Sequence, residues 1–355
     1  MKMKVFLTAL LSATMATVAF AQETPREIWS KKKAAKWYKQ HAWQRGSNFI
    51  PSYAINQLEM WQAETFDTAA INRELGYAAG IGMNSMRVFL HHAAWEQDAE
   101  GFKQRINNYL DISDRNGIST MFVLFDDCWN NTYATGTQPA PKTGIHNSGW
   151  LQDPGIRRET SPALTDTLER YVKDILTTFA TDKRILLWDL YNEPGNSKYG
   201  NKSMDLLQKV FRWARQTPAE QPLSAGVWSK DLTDLNVYQL NNSDVITYHN
   251  YADEKEHQQA IDSLRKYERP LICTEYMART RNSLFQNIMP LLKKEKVAAY
   301  NWGLVSGKTN TIYAWDTPMR DGGEPAIWFH DIFRQDGTPY KPEEVTVIKS
   351  LTGAQ

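Results

Sequence analysis

Ile185-Leu-Leu-Trp-Asp-Leu-Tyr-Asn-Glu-Pro194 is an apolar run of strand length that ends in an amide, a carboxylate and a proline. Within residues 185–190 only Asp189 breaks the apolar pattern, and Pro194 can neither donate to a ladder nor continue the strand. Asn192 and Glu193 therefore fall at a strand's C-terminal tip. In parallel α/β proteins such tips open onto a shared crevice, which is where ligands bind. For the tripeptide alone, a polar turn that happens to read Asn-Glu-Pro is an equal alternative; a second carboxylate at a comparable tip tilts the balance.

Outward from this stretch, strand-like and helix-like segments alternate. Candidate strands are Ser47–Ile50, Ser85–Leu90, Ser119–Phe125, Ile185–Leu190, Leu223–Trp228, Val245–His249, Leu271–Glu275 and Ala298–Trp302. Between them, Asp67–Ala79, Asp98–Arg115, Ala163–Ala180 and Ser203–Gln216 repeat apolar residues every three to four positions, the period of a helix buried on one face. Eight strands, each followed by a helix, predict an α/β fold, the (β/α)8 TIM barrel, as a single catalytic domain; a doubly wound open sheet is the competing arrangement. Asp126–Pro162 is a long polar and aromatic excursion, and loops of that length in compact domains are usually functional.

At the start, Lys2 and Lys4 precede an apolar run from Val5 to Phe20 closed by Ala19-Phe20-Ala21, the pattern of a secretory signal peptide cleaved after Ala21. The run is short and studded with Thr and Ser, which argues against a membrane-spanning anchor. The expectation is an exported protein, periplasmic or extracellular, with no membrane partner after signal removal. Residues 22–45 read as a Lys-rich, Trp-containing lid or N-terminal cap, and residues 46–355 as the barrel domain. With 41 basic against 40 acidic residues the chain lacks the basic excess of a nucleic-acid binder. Its 13 Trp and 16 Tyr suit a protein that stacks flat apolar faces, such as those of sugar rings, against indoles. Two cysteines, Cys128 and Cys273, are too few for a disulfide framework and read as small buried hydrophobes. A monomer is expected.

Polar and aromatic groups gather at the strand tips: Asn48, Arg87 with His91 and His92, Asp126 and Asp127, Asn192 and Glu193, Trp228, His249 and Tyr251, Glu275, and Trp302. Two carboxylates with an Arg, an Asn, a His, a Tyr and several Trp make an inventory for hydrolysing a glycosidic bond. One carboxyl protonates the leaving oxygen while the other attacks or stabilises the oxocarbenium-like centre. Whether the tips of the fourth and seventh strands converge to about 5 Å, the retaining geometry, is not legible in sequence.

These residues resemble clan A of the glycoside hydrolases, closest in style to family 5, the family of many cellulases and mannanases, over about Gly46–Gly303. The resemblance implies that Glu193, in Asn192-Glu193-Pro194, is the acid/base and that Glu275, in Cys-Thr-Glu-Tyr, is the nucleophile. It implies that Arg87 steadies the nucleophile, that His249-Asn-Tyr251 is the strand-six pair, and that Trp302 is the strand-eight platform. Asn192, Asp126, Trp129 and Trp228 complete the expected substrate-binding set. The resemblance departs at strand three, where the family usually places a His and this chain has Asp126, Asp127 and Trp129. The expected partner is an oligo- or polysaccharide with β-linked sugars.

No cofactor and no metal are expected. His91 and His92 invite a metal reading, but adjacent residues on a strand point to opposite faces and no third ligand stands at metal-site spacing. Two alternatives come from other classes: a secreted carbohydrate-binding barrel that has lost catalysis, which would lack a carboxylate, and a metal-dependent barrel hydrolase, which a chelator would inactivate. Trp129, Trp150, Trp315 and Trp328 read individually as packing before subsites. The 126–162 loop and the segment Lys308–Trp328 are placed to wall off one end of a cleft, favouring oligosaccharides or chain ends.

Overall fold

Eight parallel strands follow one another around a barrel: β1 (Arg45–Asn48), β2 (Ser85–Phe89), β3 (Ser119–Asp126), β4 (Ile185–Asn192), β5 (Leu223–Ser224), β6 (Ile246–His249), β7 (Leu271–Tyr276) and β8 (Ala298–Trp302). The computed structural model describes residues 25–161 and 163–355; the expected leader, residues 1–21, lies outside them. The strand order is β5-β4-β3-β2-β1-β8-β7-β6. Between β5 and β6 the sheet is closed by a bridge from Val227 to Tyr248, where Val227 N donates to Thr247 O (3.1 Å) and His249 N to Val227 O (3.0 Å). This arrangement is the barrel rather than the open sheet.

Local chemistry explains where the strands differ from their expected limits. Gly46 lets β1 begin early and lie close to β2, since a Cβ there would stand 1.6 Å from Ser85 O. β5 spans two residues instead of Leu223–Trp228, because Gly226 offers no side chain to pack and weakens a strand interior; pairing resumes at Val227.

The helices fall where the apolar period placed them. Asp67 caps Thr68–Gly80 by accepting from Ala69 N and Ala70 N, and Asp98 caps Ala99–Arg115 by accepting from Gly101 N. Each such cap is worth about 0.5–2 kcal/mol. Phe102, Ile106, Tyr109, Leu110 and Ser113 form the buried stripe of the second helix, and Leu164, Leu168, Tyr171, Val172 and Ile175 that of Leu164–Thr178. These stripes cover the outside of the barrel and leave the strand tips to the loops.

The Lys-rich N-terminal segment covers the end of the barrel opposite those tips. Met121, Leu187, Ile272, Ala298 and Tyr300 lie within the first three residues of their strands, and Trp29 and Ala34 are buried against them, with Trp37 and Tyr38 packed alongside. Tyr38 donates to Lys296 O (2.8 Å) and Trp43 Nε1 to Val297 O (2.7 Å). Asp244, wholly buried, ties this segment down: it accepts from Arg26 (2.6 Å), Arg215 (3.0 Å), Trp29 N (2.8 Å) and Leu223 N (2.9 Å).

Asp244→Ala leaves two guanidinium groups without their carboxylate, a loss of about 3–5 kcal/mol when a buried pair is broken. The expected result is a lower Tm together with faster proteolysis at the lysines of residues 31–33. An unchanged Tm would mean that the N-terminal segment contributes nothing to the fold. Among the described residues no helix is long and apolar enough to cross a membrane.

Candidate active site

The carboxylate that ends β4 is aimed by its own backbone. Glu193 has φ +45°, a conformation that costs a non-glycine residue on the order of 1–3 kcal/mol and that clusters at functional sites. Asp127 holds the loop that follows: it accepts from Gly195 N (2.8 Å), Tyr191 (2.7 Å), Ser203 and Arg158. Asp127 is therefore an anchor of the β4 loop.

Arg87 organises the other side. It is wholly buried within the barrel and pairs with Asp189 through Nε (2.9 Å) and Nη2 (2.8 Å). It also donates to Glu275 Oε1 (2.8 Å), Asn48 Oδ1 (2.8 Å) and Asn192 Oδ1 (2.7 Å). Asp189, the one break in the β4 apolar run, is thus the counter-charge that allows an arginine inside the barrel. Glu275 Oε2 accepts from Tyr251 (2.8 Å). His249 Nδ1 stands between the two glutamates, 2.7 Å from Glu193 Oε1 and 3.5 Å from Glu275 Oε2. The second oxygen of Glu193 accepts from Asn196 and from the Cys128 thiol (3.2 Å). One ligand atom each from Glu193, His249 and Glu275 lies within 4.8 Å of the others.

Burial pushes the Glu275 carboxyl up, and the Glu193 charge adds to this against His249, Arg87 and Tyr251; the net direction is upward. Burial pushes Glu193 up too, but the bond and charge of His249, with Cys128 and Asn196, outweigh it and hold that carboxyl below its ordinary value. Two buried carboxyls this close titrate as a pair. Burial, reinforced by Glu275, keeps the Tyr251 hydroxyl protonated far into base, so it remains a donor. Burial likewise keeps Cys128 a thiol.

Of the expected binding residues, Asn192, Trp129, Trp228, Tyr251 and Trp302 line one open cavity of about 580 Å³ together with both glutamates. Arg87 lies beneath its floor. Asp126 does not reach it: its carboxylate accepts from Asn192 Nδ2 (2.9 Å), Cys128 N (2.9 Å) and Trp150 Nε1 (2.8 Å), and burial pushes it up to about 7. It positions Asn192 and Trp150 and does not face a ligand.

Cys128, Asn147 and His330 escaped the sequence reading, and Trp150 and Trp315, read as packing before subsites, prove to line the cavity. Cys128 faces Glu193 rather than serving as inert filler, whereas Cys273 is buried in the core. Asn147 and His330 also line the cavity. Their only signal was membership of two long loops rich in aromatic and polar residues.

His91 and His92 do not point apart as expected. The strand ends at Phe89 and a helix, His92–Gln97, starts at once, so the two rings stack 5.3 Å apart on one side with Asp153 as a third potential ligand. Their nitrogens are engaged within the protein. Ala93 N donates to His91 Nδ1 (3.2 Å), and His91 Nε2 lies 3.2 Å from Gln152 O. His92 Nδ1 meets Asp153 and its Nε2 the Tyr133 hydroxyl (3.0 Å). The Arg157 guanidinium, 3.4 Å from the same Nε2, opposes a cation there.

The family model for cellulase (glycosyl hydrolase family 5) matches residues 44–308. The chain belongs to glycosyl hydrolase family 5. It is thereby a clan A glycoside hydrolase, and the departure at strand three does not remove it from the family. Among solved structures it is similar to a subfamily-18 family 5 protein from Streptomyces cattleya in complex with Manβ1-4GlcNAc, with 13% identity over 87% of this chain and 80% of that one and a TM-score of 0.59. It is similar to an exo-β-1,4-mannosidase from Opitutaceae bacterium strain TAV5, with 15% identity over 88% of this chain and 59% of that one and a TM-score of 0.60. It is also similar to an endo-1,4-β-mannanase from Rhizomucor miehei, with 13% identity over 86% and 94% and a TM-score of 0.56. At these identities the likeness is one of fold. A search of curated protein sequences finds no match.

Proposed function

We propose that this family 5 protein hydrolyses β-linked glycosidic bonds with net retention, Glu193 acting as acid/base and Glu275 as nucleophile on an oligo- or polysaccharide. The observation that carries the reading is the proximity of the two carboxylates, with atoms of Glu193 and Glu275 within 4.8 Å. Retaining enzymes hold their carboxyls about 5–5.5 Å apart, and inverting enzymes leave about 6.5–9.5 Å for a water. In the first step a Glu275 oxygen bonds to the anomeric carbon as the glycosidic C–O bond breaks, and the Glu193 proton passes to the departing oxygen. In the second step Glu193 takes a proton from water, whose oxygen displaces Glu275.

Fixed donors support this division of roles. Arg87 and Tyr251 both donate to Glu275 and stabilise it as an anion. The hold on Glu193 comes largely from His249, and part of that hold is its charge. Burial is the largest single influence on Glu193 and works toward its protonated form, the form an acid needs. The leader-like residues 1–21 support export to meet such a substrate.

The stereochemical outcome tests the proposal. Following hydrolysis of an aryl β-glycoside by NMR, the β-anomer of the free sugar is expected first, with the α-anomer appearing only by mutarotation. Initial release of the α-anomer would overturn double displacement.

A further inference from the structure

We propose that the site holds a single sugar ring on the glycone side and removes monosaccharides one at a time from the non-reducing ends of short β-linked oligosaccharides. This rests on the two-carboxylate reading above and follows from a roof over the tips of β1 and β2. The loop after β3 and the loop after β8 are joined backbone to backbone. Asn147 N donates to Thr309 O (2.8 Å) and Met319 N to Gly144 O (3.0 Å), and His146 Nδ1 bonds Tyr313 O (2.8 Å). A Cβ on Gly144 would lie 1.7 Å from Met319 O, so the two loops meet in direct contact.

Both loops are also pinned to the segment that follows β1. Asn56 donates to Gly149 O (3.0 Å), Gln57 to Leu151 O (2.9 Å), and Lys308 N to Ser52 O (3.0 Å). Beneath this roof Trp150 packs edge-on against Phe89 at the end of β2 (5.0 Å between centroids) and against Trp302 at the end of β8 (5.4 Å). The space left between them and the β1 tip is about 10 Å³. That is at most the room for one water molecule and far short of a second sugar ring.

The inner wall carries polar atoms suited to a terminal ring. His330 Nε2 and Asn147 Oδ1 are buried with no hydrogen-bond partner among the described residues, and both residues line the cavity. An imidazole nitrogen and an amide oxygen left this way are costly unless a ligand satisfies them. The hydroxyls of a non-reducing sugar would do so.

The opposite, leaving-group side is open. Trp129, which is 40% exposed, and Ser197 line both the catalytic cavity and a neighbouring polar groove of about 460 Å³. The aglycone departs on the acid/base side, away from the nucleophile, so this groove is its path. One ring is enclosed and the remainder of the chain lies along Trp129.

The test uses the full-length protein with aryl β-monoglycosides and aryl β-biosides of glucose, mannose and xylose, and with β-1,4-linked tetrasaccharides of the same sugars labelled at the reducing end. For the sugar that is accepted, the labelled tetrasaccharide is expected to shorten by one residue at a time, with monosaccharide as the first product. An aryl bioside should lose its terminal sugar before any aryl alcohol appears. Trp150→Ala should raise direct release of aryl alcohol from the bioside, relative to the monoglycoside, by about tenfold or more. If that variant fails to fold, the product pattern of the unaltered protein still decides. Disaccharide as a first product, or prompt aryl release from the bioside, overturns the single-ring site while leaving the hydrolase reading intact. No turnover of any of these substrates overturns both.

Discussion

Glu275→Ala abolishes turnover of every substrate, activated or not, by at least about 10⁴-fold, because without that carboxylate no covalent glycosyl-enzyme forms. Glu193→Ala fails differently. It slows substrates whose leaving oxygen needs a proton but spares glycosyl transfer from an aryl glycoside with a good leaving group, so the intermediate accumulates for want of a base to activate water. Added azide relieves that block by attacking unaided and gives a β-glycosyl azide. In Glu275→Ala the same anion would enter from the vacated side and give the α-azide. The measurement is the steady-state rate with and without azide, together with the anomeric configuration of the product. β-Glycosyl azide from Glu275→Ala together with α-azide from Glu193→Ala would exchange the two roles. The resting directions run against these roles, burial driving Glu275 upward while His249 holds Glu193 down, so the anomeric configuration of the azide and not the resting charge assigns them. What separates the two residues is the set of donors: Arg87 and Tyr251 stay with Glu275, whereas His249 reaches both.

Arg87→Met damages stability and catalysis together. Arg87 is wholly buried between Asp189 and Glu275, and breaking such a pair costs about 3–5 kcal/mol because it strands the partner charge. For a domain of this size that corresponds to a Tm lower by roughly 5 °C. Losing the positive neighbour also favours protonated Glu275, and a protonated carboxyl cannot attack. The acid limb of kcat/KM against pH therefore moves to higher pH, by about one unit or more. Arg87→Lys restores the charge but not the planar fork that reaches Asp189, Asn48, Glu275 and Asn192 at once, so it should return part of the pH shift and little of the stability. An acid limb that stays in place while activity falls would mean that Arg87 only positions Glu275 and does not keep it ionised.

Much of this was legible in sequence because it depends on neighbours along the chain. The period of apolar residues placed the helices at Thr68–Gly80 and Ala99–Arg115 to within a residue, and Asp67 and Asp98 marked their starts. Strand-length apolar runs ending in polar groups placed Asn192, Glu193 and Glu275 at tips, and a barrel must bring its tips to one rim.

Other features were decided only by contacts between distant segments. Barrel closure brought the two glutamates within reach of one another, and it set His249 and Arg87 from other strands against their carboxylates. Asp126 reads from the chain as a rim carboxylate, yet the loop that returns Trp150 and the strand that carries Asn192 consume its oxygens. His91 and His92 turn to one side because a helix begins where strand alternation was assumed to continue. The roof over β1 and β2 is a meeting of the 126–162 loop with the segment after β8, more than 150 residues on. Apolar periodicity carries no information about such a meeting, because it is set by backbone hydrogen bonds and close contacts that exist only once the barrel has closed.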